Sequence, residues 1–181
     1  MATTKLMTAA ELYELPNTER FELIRGELVE MAPTGFDHSD IAAELISRVR
    51  MFAREHGLGR VTGEGAGYRL EADPDVVLAP DVAFVRADRL PPREDRRGYL
   101  PLAPDLVVEV ISPSDRAGQV LAKVNLYLTA GVPLLWLVDP EQQTVAAFTP
   151  DRPARVYSAP DTLTGADVLP GFELPIRELF S

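Results

Sequence analysis

Three side chains of this 181-residue chain have types and positions suited to shared chemistry. Asp81 leads the apolar run Pro80-Asp81-Val82-Ala83-Phe84-Val85. Glu109 lies inside a second run, Leu106-Val107-Val108-Glu109-Val110-Ile111, and Lys123 follows on the next segment. Two carboxylates on adjacent strands can hold Mg²⁺, a hard cation that favours oxygen ligands and accepts few protein groups. A nearby lysine can orient or help deprotonate a water, or offset charge developing on a phosphate. Those parts together suit metal-assisted hydrolysis of a phosphodiester.

Glu109 is the most informative of the three. The run around it is short, β-branched and bounded by Pro104 and Pro113, the pattern of a strand buried on both faces. Side chains alternate along a strand, so Glu109 shares a face with Val107 and Ile111. A carboxylate there needs a cation, a hydrogen-bond network or a metal, because an isolated buried charge is too costly. A structural ion pair, or a strand end opening to water, is the alternative to a site.

The elements that must position these groups can be read in order. Thr8-Ala9-Ala10-Glu11 is a capping box for a short helix ending before Pro16. Phe21–Ile24 and Glu27–Met31 flank Arg25-Gly26 as a β-hairpin, with Glu22 among apolar neighbours. After the loop Pro33-Thr34-Gly35, Asp37 or Ser39 is expected to cap a helix. Ile41, Leu45, Ile46, Val49, Phe52 and Ala53 form its stripe, and Gly57 ends it. Arg60–Glu64 and Gly67–Leu70 read as short strands around a glycine-rich connection. Glu71–Pro80 reads as a loop. The polar excursion from Arg86 to Gly98 is long enough to be a flap.

Beyond Glu109 the spacing predicts a helix to about Ala130 with Gly131 as its cap. Gln119, Lys123 and Tyr127 are one turn apart on one side of it. Leu134–Asp139 and Thr144–Thr149 read as antiparallel strands. Val168–Phe172 and Ile176–Phe180 read as a packed apolar end. Trp136, Phe148 and Tyr127 fit a core. His38 precedes a helix start, where it could touch a substrate phosphate, although a cap or surface role suits it better. His56 fits a favourable charge at a helix C-terminus.

Composition bounds the rest. Hydrophobic content of 46% suits one domain over residues 1–181. Cysteine is absent, which excludes disulfides and thiolate sites and fits a reducing cytoplasm. Met1–Lys5 has no apolar run behind it, so no secretory signal is expected, and no run is long enough for a membrane span. The formal net charge of −10 argues against a broad electrostatic grip on duplex nucleic acid. A local basic patch feeding a small site remains compatible with it.

The runs Phe21–Val29, Pro80–Val85 and Pro104–Ser114, with Lys123, Tyr127, Gly131, Trp136 and Val138-Asp139-Pro140, resemble the Uma-type family of restriction endonucleases. That family belongs to the PD-(D/E)XK nuclease superfamily. The resemblance runs from about Thr8 to Phe180. It implies an α/β fold with a restriction-endonuclease-like mixed β-sheet core flanked by α-helices. It also implies Asp81 and Glu109 as the motif acids, and Glu22 as a further acidic site residue. The lysine usual two residues after the glutamate is Ile111 here, and Lys123 matches the family's relocated lysine. The implied metal is Mg²⁺ or Mn²⁺ on Asp81, Glu109 and a backbone carbonyl near Val110. Gln119 and His38 are candidate substrate contacts.

The expected activity is endonucleolytic hydrolysis of DNA, by a homodimer. The dimer is suggested by the apolar C-terminal segment and by the paired subunits of many nucleases. A non-catalytic binding module with the nuclease fold, or a phosphodiesterase on a small substrate, are the competing readings.

Overall fold

The computed structural model describes residues 6–181; the expectation about Met1–Lys5 lies outside them. Thr8 caps α1 (Ala9–Tyr13) through a complete capping box: its Oγ1 accepts from Glu11 N–H, and the Glu11 carboxylate accepts from Thr8 N–H. The hairpin β1 (Phe21–Ile24) and β2 (Glu27–Glu30) turns at Arg25 and Gly26, both at positive φ. Helix α2 (Phe36–Glu55) starts from Gly35, which makes no side-chain cap bond, and not from Asp37 or Ser39. Asp37 already belongs to its first turn, and the Ser39 hydroxyl lies 3.2 Å from that of Thr34.

The chain continues through β3 (Gly59–Gly63), β4 (Tyr68–Glu71), β5 (Val76–Leu78), β6 (Val82–Arg86) and β7 (Leu106–Val110). Then come α3 (Ala117–Thr129), β8 (Leu134–Asp139), β9 (Thr144–Thr149), β10 (Arg152–Tyr157), β11 (Thr162–Gly165), β12 (Leu169–Pro175) and α4 (Ile176–Leu179). Six strands form a mixed sheet in the order β10-β9-β8-β7-β6-β3. Its one parallel pair is β7–β8, joined by α3 as the crossover. A second sheet has the order β2-β1-β5-β4, and β11 pairs with β12.

One further expectation changes. The stretch Glu71–Pro80, read as a loop, contains β5, which lies between β1 and β4. Its three residues are all buried, and its pairing with β1 spans about fifty residues of chain. The glycine-rich connection after β3 leads from the large sheet into the small one, because β3 pairs with β6 and β4 with β5.

Alternation along β7 divides the core. Leu106, Val108 and Val110 face the layer holding Ile41, Leu45 and Val49 of α2. Trp136, the only tryptophan, belongs to that layer and stacks on Phe172 with ring centroids 5.7 Å apart. Val107 faces the other way, towards Val124 and Tyr127 of α3 and Val76 and Leu78 of β5. The excursion after β6 holds two short 3₁₀ turns. Arg89 pins it to Asp105 at 2.8 Å and to the carbonyl of Ala103 at 2.9 Å. Among the described residues no helix is long and apolar enough to cross a membrane.

Candidate active site

Glu109 projects from the Val107 face of β7, towards α3. Two α3 residues one turn apart meet it. Tyr127 donates its hydroxyl to Glu109 Oε1 at 2.7 Å, and Lys123 Nζ donates to Oε2 at 3.0 Å. The same ammonium lies 2.9 Å from Glu22 Oε1. Glu22 arrives from β1 in the second sheet and is fixed by Ala79 N–H, which donates to Oε1 at 2.9 Å. A half-buried lysine therefore ties the two sheets together through two carboxylates.

Asp81 stands one residue before β6. Its Oδ2 accepts from Val110 N–H at 2.7 Å, and His38 Nε2 lies 3.2 Å from the same oxygen. Strand register explains why these acids gather. Val82 pairs with Val108, so one step further sets Asp81 opposite Glu109. Gly63 pairs with Val82, so one step further sets Glu64 opposite Asp81. Glu64, Asp81 and Glu109 thus form a row across three neighbouring strands.

His38 lies in the first turn of α2 and is only 6% exposed, so the cap or surface role expected of it does not hold. Its Nδ1 is buried without a hydrogen-bond partner, 3.8 Å from Glu64 Oε1. His38, Glu64 and Asp81 each offer a ligand atom, all within 4.8 Å of one another, and could hold a metal ion. Gln119 is exposed in the first turn of α3, one turn before Lys123. Ile111 is partly buried and donates its N–H to Val138.

The electrostatics follow from crowding. Burial, with Asp81 and Glu22 adding to it, pushes Glu109 up to about 8, although Lys123 and Tyr127 oppose the shift. Burial works against a charged Lys123, but Glu109 and Glu22 outweigh it and hold the ammonium above its ordinary range. Burial and the Glu109 charge push Tyr127 well up, so it stays a hydroxyl donor. His38 is also raised: burial opposes this, and Asp81, Glu64 and Glu109 overcome it. Four carboxylates against one lysine and one histidine leave room for a divalent cation, and their hard oxygens match Mg²⁺ or Mn²⁺. A cavity of about 240 Å³ lined by Gly57, Leu58, Arg86 and Val168 shares none of these residues.

Sequence reasoning missed Glu64 and the polar role of Tyr127. Tyr127 was legible through its spacing of one turn from Lys123. Glu64 follows a glycine in a polar stretch, and only the β3–β6 register shows where it lies.

A mixed sheet with acids at the ends of adjacent strands and a lysine on the crossover helix is a nuclease-type α/β fold. A crystal structure from Anabaena variabilis, described as "a putative nuclease belonging to DUF820", has this fold. The match has a TM-score of 0.83 and 26% identity, and it covers 96% of this chain and 97% of that one. The Uma2 family, described as "Putative restriction endonuclease", matches residues 9–177. The chain belongs to the Uma2 family, as the sequence motifs indicated. A search of curated proteins gives no match.

Proposed function

We propose that this chain is a Mg²⁺- or Mn²⁺-dependent endonuclease that hydrolyses DNA phosphodiester bonds. The observation that carries the reading is the bridging of Glu22 and Glu109 by Lys123, with Asp81 on the adjacent strand. Asp81, Glu109 and the carbonyl of Val110 would hold the metal. When bound, it polarises the phosphate and lowers the pKa of a water.

The protein's own groups have separable tasks. Lys123 stays an ammonium, so it orients the attacking water and offsets charge on the phosphate instead of taking a proton. Glu22 fixes the lysine, and Tyr127 fixes Glu109. Val110 N–H and His38 orient Asp81. Gln119, exposed one turn before Lys123, is positioned to contact the substrate. Water adds to phosphorus and releases a proton to solvent, the P–O bond to the leaving sugar oxygen breaks, and that oxygen takes up a proton from solvent. The whole chain would act as one nuclease domain, in the cytoplasm, with two copies cutting the two strands.

The test is incubation of the purified protein with supercoiled, linear and single-stranded DNA and Mg²⁺ or Mn²⁺, beside Glu109→Gln. Nicking or linearisation by the wild type alone is expected. No cleavage of any DNA, or equal cleavage by the variant, would overturn the reading. Sedimentation as a monomer at tens of micromolar would remove the dimer.

A further inference from the structure

We infer that His38, Glu64 and Asp81 form a second cation position with a nitrogen ligand, which takes a first-row transition metal such as Mn²⁺ in preference to Mg²⁺. It adjoins the position between Asp81 and Glu109 and shares Asp81 with it. The inference extends the metal-site part of the proposed function, but it does not require that DNA be cut.

Three observations carry it. The three side chains come from separate elements: the first turn of α2, the residue after β3, and the residue before β6. They nevertheless bring one ligand atom each to within 4.8 Å of one another. His38 is more than nine-tenths buried, and its Nδ1 has no hydrogen-bond partner. That nitrogen faces Glu64 at 3.8 Å, too long for a hydrogen bond. Buried polar atoms are ordinarily satisfied, so an orphaned ring nitrogen facing a carboxylate points to a ligand. Finally, both described contacts of Asp81 fall on Oδ2, which leaves Oδ1 for a cation.

The ligand set decides the metal class. Mg²⁺ favours oxygen and water alone, whereas divalent transition metals accept an imidazole beside carboxylates; Mn²⁺ does so least strongly of the first-row series and serves as the paramagnetic probe. Glu64 is exposed, so the position is open to solvent on one side and can fill from it.

The test uses the full chain loaded with Mn²⁺ and read by pulsed electron paramagnetic resonance. The wild type should show coupling from a directly bound ¹⁴N nucleus. His38→Gln should lose that coupling, and His56→Gln should keep it, since His56 lies at the opposite end of α2. In calorimetry, Glu64→Gln should weaken Mn²⁺ binding by about tenfold or more, the scale of losing a metal-supporting group. The same substitution should change Mg²⁺ binding less. Absence of the ¹⁴N coupling in the wild type would overturn the inference without recourse to any variant. So would a Glu64→Gln protein that binds Mn²⁺ as tightly as the wild type. Coupling without DNA cleavage would keep this position and sink the nuclease reading; cleavage without coupling would do the reverse.

Discussion

The two ends of β7 carry a buried acid and a partly buried one, and the two acids are treated differently. Asp105, just before the strand, is 4% exposed and fully answered: Arg86 N–H donates to Oδ2 at 2.9 Å, and Arg89 lies 2.8 Å from Oδ1. Glu109, near the other end, shares its lysine with Glu22 and has Asp81 beside it. One carboxylate with one cation closes a loop. Several carboxylates around one lysine compete for it, and Glu109 is pushed towards its protonated form. The two acids therefore differ most in the number of acids per cation.

Mutations can break that comparison. The largest effect is expected from Lys123→Met, which removes the only lysine of the crowded end. DNA cleavage should fall by about 10²–10⁴-fold, the usual range for a positioned catalytic group. Plasmid nicking at the wild-type rate would show that Lys123 is only a structural partner of Glu109. Next comes Asp105→Ala at the answered end. It removes the acceptor of Arg86 N–H and the partner of the part-exposed Arg89, and should cost about 1–3 kcal/mol, chiefly the penalty of an unsatisfied buried donor. Cleavage below the lowered melting temperature should persist. Loss of cleavage at full stability would erase the distinction between the two ends.

A third prediction concerns pH. Glu109 is raised in the fold from about 4.5 to about 8, so the folded state holds its proton more tightly than the unfolded state. That contribution is complete below about 4.5 and is lost as pH rises through about 8. In a chelator, wild-type protein should lose melting temperature relative to Glu109→Gln between pH 5 and 8.5. His38 shifts in the same direction in both proteins and largely cancels in the difference, because Glu109 is the smallest of its causes. Added Mg²⁺ should reverse the loss in the wild type only, and more strongly at the higher pH, because ligation requires the carboxylate. A flat difference across this range would mean that Glu109 is ionised throughout.

The smallest effect belongs to Tyr127→Phe. It deletes one hydroxyl donor and should cost about 1 kcal/mol, the net worth of one hydrogen bond. Because that donor holds Glu109 down, its loss should also move the Glu109 transition to higher pH. Carboxyl-selective NMR titration checks the direction.

Much of this was legible because local pattern and global fold agree. The capping box at Thr8, the turn at Arg25-Gly26, the strand through Glu109 and the helix ending at Gly131 each follow from a few neighbouring residues. Asp81, Glu109 and Lys123 could be grouped because consecutive strands and a crossover helix make them neighbours. What escaped depends on distant pairing. The three residues of β5 form a strand only because β1 and β4 flank them. β10 carries Pro153 and exposed arginines, which suit only a sheet edge. His38 is buried by elements that meet only in the fold, and Glu64 enters through register alone.

Trp136 supplies the molecule with an optical reporter. Its indole is fully buried, on the face of the large sheet turned away from Glu109 and α3. Its emission should resemble that of an apolar solvent and resist aqueous quenchers while the sheet is intact. Metal or proton exchange among the acids should barely alter the signal, whereas separation of α2 from the sheet should redden it. A single fluorescence scan of each variant can thus distinguish a protein that has lost its carboxylate chemistry from one that has lost its shape.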